Sequence, residues 1–237
     1  MATAPNVREG LCFALDYPSL NEAMLAAERV HEHVGVFKIG LELFVRSGPE
    51  AVRQVKKLGR QVFLDLKLHD IPATVGSAVS SACALEVDYL TLHASGGPEM
   101  LSLAAETAAE SEVKLLAVTV LTSMSAAELE AVGVSNSATQ QVESLTRTAL
   151  ESGVAGLVCS PLEVAALRSA FGAKPVLVTP GVRPLGSELG DQKRTSTPSE
   201  AVRAGSNLLV VGRPIREAPD PAAAARDILS QMEAARA

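Results

Sequence analysis

The chain has 237 residues and a mass of 24.6 kDa, and 47% of its residues are hydrophobic, so it can bury a large core. Its net charge of -6 and its pI of about 5.3 argue against a nucleic-acid or anionic-membrane partner, because both need a positive surface. Aromatic residues make up only 3%, so the core must be aliphatic, which suits parallel strands buried on both faces.

Short apolar runs alternate along the chain with Ala-, Glu- and Leu-rich segments that have helical spacing. About eight such strand-then-helix units predict an α/β fold, the (β/α)8 TIM barrel, with an open doubly wound sheet as the competing architecture. No Pro-, Gly- and Ser-rich linker divides the chain, so we expect one catalytic domain over 1–237. The predicted strands are 11–17, 36–41, 61–68, 89–94, 114–121, 156–160, 175–179 and 207–211. The predicted helices are 20–33, 49–58, 74–85, 98–111, 140–152, 161–171 and 220–235.

Two predicted connections, 122–138 and 180–198, are longer than a barrel needs. Long loops after strands are where barrel enzymes carry substrate contacts. We therefore expect both connections to lie over the site.

The cellular setting is indicated by what the sequence lacks. Cys12, Cys83 and Cys159 are scattered and have no C-x-x-C spacing, which argues against a disulfide framework and a zinc site. No apolar run approaches the roughly 20 residues of a membrane span, and the start MATAPNVREG is unlike a signal peptide. We expect a soluble, cytoplasmic protein.

The third predicted strand carries the clearest chemical pattern, the run QVFLDLKLHDIPAT. Side chains alternate across a strand, so Asp65 and Lys67 should point into the barrel together while the neighbouring leucines face outward. Buried charges are costly unless they are paired. A structural ion pair would explain two such residues, but the carboxyl end of a barrel strand is also where catalysis occurs.

Three further charged residues are expected at the same rim. Asp16 ends the first strand in FALDYP, Lys38 interrupts the second in VFKIGLE, and Asp70 follows the third, just before Pro72. A lone strand-end aspartate can be only a helix cap, but alternating lysines and carboxylates also keep one another ionised. A lysine held protonated can give its proton to a carbanion, and carboxylates repel an anionic group on the substrate. The array fits a reaction that releases CO₂ and adds a proton.

His93 ends the fourth strand in LHASGG and could join this rim. A structural hydrogen-bonding role is favoured, because no Ser or Cys nucleophile is paired with it by motif. The histidines have no metal-ligand spacing, so no metal site is predicted.

A phosphate site is predicted from the motifs VTPGVRP, GDQKR and VVGRPI. Backbone N–H groups and a helix N-terminus after the seventh and eighth strands of a barrel commonly bind phosphate. Gly212 allows the backbone to approach closely, and the planar Arg213 guanidinium matches phosphate oxygens. Arg183 and Gln192 lie on the loop that could close over the same group.

Together the motifs resemble the orotidine 5′-phosphate decarboxylase family over nearly the whole chain. The matching runs, in order, are ALDY, FKIG, DLKLHDIPAT, LTSM, TPGVRP, GDQKR and VGRPI. The D-x-K-x-x-D element alone is shared with a wider group of barrel enzymes, but its combination with the later motifs is specific. The resemblance implies decarboxylation of orotidine 5′-phosphate to UMP in pyrimidine biosynthesis, with no cofactor or metal, by a homodimer with shared active sites.

The resemblance also implies a role for each matching residue. Lys67 would protonate C6 of the pyrimidine, Asp65 would lie beside the substrate carboxylate, and Lys38 would join the charge network and reach the ribose. Asp16 would bind ribose hydroxyls, and Asp70 with Thr74 would cross into the partner's site. The implied catalytic residues are Lys67, Asp65, Asp70 and Lys38; the implied substrate contacts are Asp16, Lys38, Asp65, Leu66, Lys67, Leu68, His69, Asp70, Ile71, Pro72, Ala73, Thr74, Thr122 and Ser123 (the pyrimidine loop), and Arg183, Gln192, Gly212 and Arg213 (the phosphate set).

Two other functions stay open on the sequence. A relative that shares D-x-K-x-x-D would bind Mg²⁺ and act on a sugar phosphate such as 3-keto-L-gulonate 6-phosphate. A non-catalytic protein that senses UMP would bind the nucleotide and leave orotidine 5′-phosphate unchanged.

Overall fold

Eight parallel strands close into a barrel in the computed structural model, which describes residues 6–184 and 195–236. Each strand pairs with the next, and the first pairs with the last through Leu11 and Leu209, so the sheet has no open edge. The predicted TIM barrel is therefore confirmed, and the open sheet is wrong. The strands are β1 Leu11–Ala14, β2 Val36–Gly40, β3 Gln61–Leu68, β4 Tyr89–His93, β5 Lys114–Val118, β6 Gly156–Val158, β7 Val176–Thr179 and β8 Leu208–Val211.

Helices follow the strands and pack around the outside of the barrel, and each of the seven predicted helices is present with small shifts at its ends. The 161–171 segment opens with a 3₁₀ turn, Pro161–Glu163, before the α-helix begins. The helices are α1 Leu20–Val30, α2 Leu41–Ser47, α3 Pro49–Lys57, α4 Pro72–Cys83, α5 Gly97–Ala108, α6 Ala126–Ala131, α7 Ala138–Glu151, α8 Val164–Phe171, α9 Pro198–Ala204, α10 Arg213–Arg216 and α11 Pro221–Arg236.

Helix starts differ from the prediction where capping chemistry decides them. Helix α4 begins at Pro72 rather than at residue 74, because proline is favoured at the first helical position, where its missing N–H is not needed. The 122–138 connection contains helix α6, which Ser125 and Glu128 start with a reciprocal capping box. The connection is therefore a partly helical segment and not a plain loop.

No helix of the described ranges combines the length and apolar character needed to cross a bilayer.

The core forms two layers that together fix the position of the site. The larger layer lies between strands and helices and contains Leu64 and Leu90. The smaller layer fills the barrel itself, with Cys12, Phe63 and Tyr89 among its members. This smaller layer fills the barrel interior toward the amino ends of the strands. Polar side chains that come later on the strands, such as Lys38 and Asp65, therefore lie toward the carboxyl ends.

Strand register places the charged residues at one level. Lys38 is paired with Ala14 on one side and with Phe63 on the other, while Asp65 is paired with Gly40. Lys38 and Asp65 are each only 9% exposed. Two adjacent strands thus direct opposite charges into the closed upper half of the barrel, which is the catalytic end of this fold.

Candidate active site

A cavity of about 490 Å³ opens at the carboxyl ends of the strands. Its size is that of a small-molecule site, and its lining combines apolar strand residues with cations and carboxylates. The lining residues are Ala14, Asp16, Lys38, Phe63, Asp65, Lys67, Val118, Val120, Leu121, Thr122, Val158, Cys159, Pro180, Gly181, Arg183, Val210, Gly212, Arg213 and Arg216.

Four charged side chains form a continuous chain of alternating sign along one wall of the cavity. Lys38 Nζ donates a 2.9 Å hydrogen bond to Asp16 Oδ1 and lies 3.6 Å from Asp65 Oδ2. Lys67 Nζ donates a 2.8 Å hydrogen bond to Asp65 Oδ1. The sequence predicted five charges at this rim, and the structure brings Asp16, Lys38, Asp65 and Lys67 together.

The pairing sets the protonation states of the two buried members. Burial alone would raise the pKa of Asp65, but Lys38, Lys67 and the hydrogen bonds from Lys67 and Thr91 bring it below its ordinary value of 3.8. Burial alone would lower the pKa of Lys38, but Asp65 and Asp16 bring it above its ordinary value of 10.5. Lys38 is therefore a fixed cation between two carboxylates, and Asp65 is a fixed anion between two lysines.

Strand β3 is irregular at the residue that would carry the chemistry. The β3–β4 register shifts between Leu64 and Leu68, and Lys67 has a φ of 51°, a backbone conformation that L-residues rarely adopt. The simple alternation assumed from the sequence therefore does not hold through Lys67. Its side chain nonetheless lines the cavity and reaches Asp65.

The cavity lining also contains three of the predicted phosphate residues, Arg183, Gly212 and Arg213. Arg183 is buried and donates from Nη1 to the Val182 carbonyl at 2.9 Å. Gly212 and Arg213 follow β8 and line the cavity with it. The cavity lining therefore combines the acid–base groups with the guanidinium groups of Arg183, Arg213 and Arg216. Gln192 lies outside the described residues.

The segment after β3 lies outside the cavity of its own chain. His69, Asp70, Ile71, Ala73 and Thr74 are exposed, and Ile71 keeps 67% of its surface accessible. Asp70 Oδ1 accepts a 2.6 Å hydrogen bond from the backbone N–H of Ile71. One chain by itself therefore does not bring these residues to the cavity.

The remaining residues predicted to contact substrate lie in three places: the cavity lining, the outer core layer and the protein surface. Thr122 lines the cavity, whereas Ser123 is exposed beside it. Leu66 and Leu68 are half-buried and pack against the outer core layer, and Pro72 starts α4.

His93 stands next to this region rather than in the cavity lining. Its ring centroid is 5.4 Å from that of His69. Burial, His69 and Lys67 all lower the pKa of His93 below its ordinary value of 6.5, so the ring is neutral at pH 7. The structural hydrogen-bonding role favoured from the sequence stays a prediction.

Potential metal ligands do not gather here. Over residues 6–184 and 195–236, no group of three or more His, Cys, Asp or Glu side chains is arranged to hold a metal ion. In the wall described above, each of Asp16 and Asp65 is already bound by a lysine ammonium.

Comparison with known proteins assigns the chain to a family. A family model described as "Orotidine 5'-phosphate decarboxylase / HUMPS family" matches residues 9–228. The chain belongs to this family. An orotidine 5′-phosphate decarboxylase of Anaeromyxobacter sp. (strain K) is 55% identical over 224 residues, covering 94% of this chain and 98% of the relative. One of Opitutus terrae is 52% identical over 225 residues, with the same two coverages of 94% and 98%.

A solved structure shares the fold. The crystal structure of orotidine 5′-phosphate decarboxylase from Lactobacillus acidophilus superposes with a TM-score of 0.84 at 35% identity, covering 94% of this chain and 99% of that one. The resemblance drawn from the motifs is thus confirmed at the level of the family.

Three residues beside the site of this family member were missed from the sequence. Thr91 forms hydrogen bonds with both Asp65 and Lys67, and its signal in the sequence is a hydroxyl residue between the two leucines of the run YLTLH. Gly40 has no side chain where a Cβ would lie 3.0 Å from Lys38 Nζ and 3.1 Å from Asp16 Oδ1. Arg216 lines the cavity and donates from Nη1 to the Asp16 carbonyl at 2.8 Å. Helical spacing from Arg213 was the available signal for Arg216.

Proposed function

We propose that this chain decarboxylates orotidine 5′-phosphate to UMP without a metal or organic cofactor, as a step of pyrimidine biosynthesis in the cytoplasm. The observation that carries the proposal is that a single cavity is lined both by the chain of charges from Asp16 to Lys67 and by the guanidinium groups of Arg183 and Arg213. A substrate that has both a carboxylate and a phosphate suits that lining. The names of the most similar relatives support the same substrate.

In the proposed reaction, the bond between C6 of the pyrimidine and its carboxylate carbon breaks, and CO₂ leaves. The electron pair of that bond stays on C6, and the Lys67 ammonium donates a proton to it. Asp65, an anion held in place by Lys38, Lys67 and Thr91, lies beside the substrate carboxylate and disfavours the bound ground state. Lys67 in turn stabilises the negative charge that develops on C6.

The phosphate end would supply binding energy at a distance from the breaking bond. Arg183, Arg213 and the Gly212 backbone grip the phosphate in this proposal, together with Gln192. Interactions with a non-reacting group can hold the ring in place and close loops over it, which excludes water and strengthens the field of Lys67. Thr122 and Ser123 contact the pyrimidine, while Asp16 and Lys38 bind the ribose.

The proposal includes a homodimer with shared sites. Asp70 and Thr74 are exposed and lie outside the cavity of their own chain, so they could act only in a partner's cavity. Ile71, which lies between Asp70 and Thr74 in the sequence, is 67% exposed. A partner chain would cover this apolar side chain.

The family description includes a second group, and the Mg²⁺-dependent sugar-phosphate reaction is the alternative that shares the D-x-K-x-x-D spacing. Against it stands Lys38, whose ammonium lies between the carboxylates of Asp16 and Asp65, where a divalent cation would otherwise find its ligands. Activity that vanishes with EDTA and returns with Mg²⁺ would support the alternative.

The deciding experiment follows the loss of substrate absorbance when purified protein meets orotidine 5′-phosphate in metal-free buffer. We expect turnover, with UMP as the product and no effect of EDTA. Binding of UMP without conversion of orotidine 5′-phosphate would instead indicate a nucleotide sensor and would overturn the proposal.

A further inference from the structure

We propose that Thr91 is a positioning residue for the decarboxylation, acting through the two residues it contacts, Asp65 and Lys67. The inference rests on the proposed function, because it takes Lys67 as the proton donor. The single hydroxyl of Thr91 would hold the Lys67 backbone and the Asp65 carboxylate in their working arrangement.

The contacts of Thr91 are specific and fully enclosed. Its side chain is 0% exposed on β4, next to the irregular part of β3. Thr91 Oγ1 donates a 2.9 Å hydrogen bond to Asp65 Oδ1 and accepts a 2.9 Å hydrogen bond from the backbone N–H of Lys67. Asp65 Oδ1 also accepts the 2.8 Å hydrogen bond from Lys67 Nζ. Asp65 Oδ1 therefore accepts hydrogen bonds from both the Lys67 ammonium and the Thr91 hydroxyl. The same hydroxyl accepts a hydrogen bond from the Lys67 backbone, which closes the ring of contacts.

The direction of both hydrogen bonds is fixed by chemistry. An ionised carboxylate only accepts hydrogen bonds, and a backbone N–H only donates them. The hydroxyl must therefore send its one hydrogen to Asp65 and use a lone pair for Lys67. Serine can do the same at this place, whereas valine, which has nearly the same shape, can do neither.

The backbone of Lys67 explains why such a support is needed. Its φ of 51° is disfavoured for a residue with a side chain, and persists where the surroundings impose it. The β3–β4 register shifts at this point, so the Lys67 amide bonds to the Thr91 side chain. Because the backbone conformation sets the direction of the lysine side chain, loss of this bond would let Nζ leave its place.

The test compares Thr91→Val, Thr91→Cys and Thr91→Ser with the wild-type protein and with Thr146→Val. Thr146 is a matched control, because it is also 0% exposed, lies on α7 away from the cavity, and has an Oγ1 without a hydrogen-bond partner among the described residues. For each protein, kcat and KM for orotidine 5′-phosphate, the pH profile of kcat/KM, UMP affinity and melting temperature are measured.

We expect Thr91→Val to lower kcat by about tenfold to a hundredfold, the scale of a small misplacement of a reacting group. UMP affinity should change by less than about threefold, because the phosphate and ribose contacts remain. The acidic limb of the kcat/KM profile should move to higher pH, because Asp65 loses a donor that favours its ionised form. Thr91→Ser should recover most of kcat, and Thr146→Val should match the wild type.

The outcomes separate this proposal from the proposed function. No turnover by the wild type and by Thr146→Val would overturn the function on which the inference rests. Turnover by both, with kcat and the acidic limb unchanged in folded Thr91→Val, would overturn the role of Thr91 alone, even if the melting temperature falls. If Thr91→Val does not fold, Thr91→Cys decides, because its weak S–H donor should give a kcat below that of Thr91→Ser. A wild-type kcat in Thr91→Cys would then overturn the role.

Discussion

Lys67 Nζ lies 2.8 Å from Asp65 Oδ1, although the two residues are separated by a single position on one strand and the backbone between them is irregular. The Lys67 side chain lines the cavity and is 30% exposed, and its ammonium is held by the Asp65 carboxylate. An ammonium in this position can donate a proton to a carbanion that forms beside it.

Replacement of this lysine tests the proton-donor role directly. We expect Lys67→Ala to lower kcat by about 10²- to 10⁴-fold or more, the contribution typical of a positioned general acid, while UMP still binds. Steady-state kinetics and calorimetric titration of UMP measure the two effects. Lys57→Ala, at an exposed position on α3, is the control and should turn over normally. Wild-type turnover by Lys67→Ala would rule out the role.

The phosphate end predicts a selective loss of affinity. Arg213→Ala should weaken phosphate-bearing ligands by about 1.5–3 kcal/mol, the scale of a hydrogen bond to a charged group, because a guanidinium contact is lost. Binding of uridine, which lacks the phosphate, should change little. Titrations of UMP and uridine give the comparison, with the exposed Arg203→Ala as the control. Equal losses for both ligands would place Arg213 elsewhere than at the phosphate.

The barrel and most of the charged wall followed from sequence because both rest on local periodicity. Strand-helix alternation predicted each of the eight strands, and strand-end positions predicted that Asp16, Lys38 and Asp65 would meet. Such arguments assume regular strands. They therefore could not anticipate the positive φ of Lys67, which depends on the register shift between β3 and β4.

What sequence missed is set by contacts between strands. In the sequence, Thr91 looks like an ordinary β-branched strand residue. Its role comes from the register shift, which places the Lys67 amide opposite its hydroxyl. Asp70 was expected at the rim with the lysines, but the exposed turn before α4 carries it away from its own cavity. Its proposed role depends on a second chain, which periodicity within one chain does not describe.

The absence of a side chain at Gly40 leaves room for the Asp16–Lys38 ion pair, so a larger residue there should disturb the pair. An added Cβ would lie 3.0 Å from Lys38 Nζ and 3.1 Å from Asp16 Oδ1, so Gly40→Ala should force the 2.9 Å ion pair apart. We expect KM for orotidine 5′-phosphate to rise about tenfold or more, because a hydrogen bond between the ribose and a charged group contributes about 1.5–3 kcal/mol, and a tenfold change corresponds to about 1.4 kcal/mol.

The matched control is Gly76→Ala on α4, where a Cβ would meet its nearest neighbours at 3.4 Å, an ordinary contact distance. It should keep its KM and gain stability, because alanine is favoured over glycine in a helix. An unchanged KM in Gly40→Ala would show that the site tolerates displacement of the pair.

The lowered pKa of His93 predicts that the free energy of unfolding depends on pH below neutrality. Its folded pKa lies below 6.5 because of burial, His69 and Lys67, so the unfolded chain takes up this proton first as the pH falls. The free energy of unfolding should therefore decrease below about pH 6.5 until His93 is protonated in the folded state as well. The contribution of Asp65, whose pKa is lowered, is lost only around and below its ordinary value of 3.8.

Urea denaturation at several pH values between about 7.5 and 5 measures this dependence. His93→Asn should flatten the part of the curve that begins near pH 6.5, since the titrating ring is gone. The same slope in variant and wild type would assign the dependence to another group.

Shared active sites predict recovery of activity on mixing two inactive variants. In Lys67→Ala the defect lies in the cavity, and in Asp70→Ala it lies on the exposed segment that would reach the partner's cavity. If the cavity of one chain is completed by Asp70 of the other, a mixed dimer contains one site with both residues intact. Random exchange at equal concentrations yields half mixed dimers, so turnover should return to about a quarter of the wild-type value, since one site in two works in half of the dimers. Turnover that stays absent, with exchange verified by native mass spectrometry, would mean that each chain completes its own site.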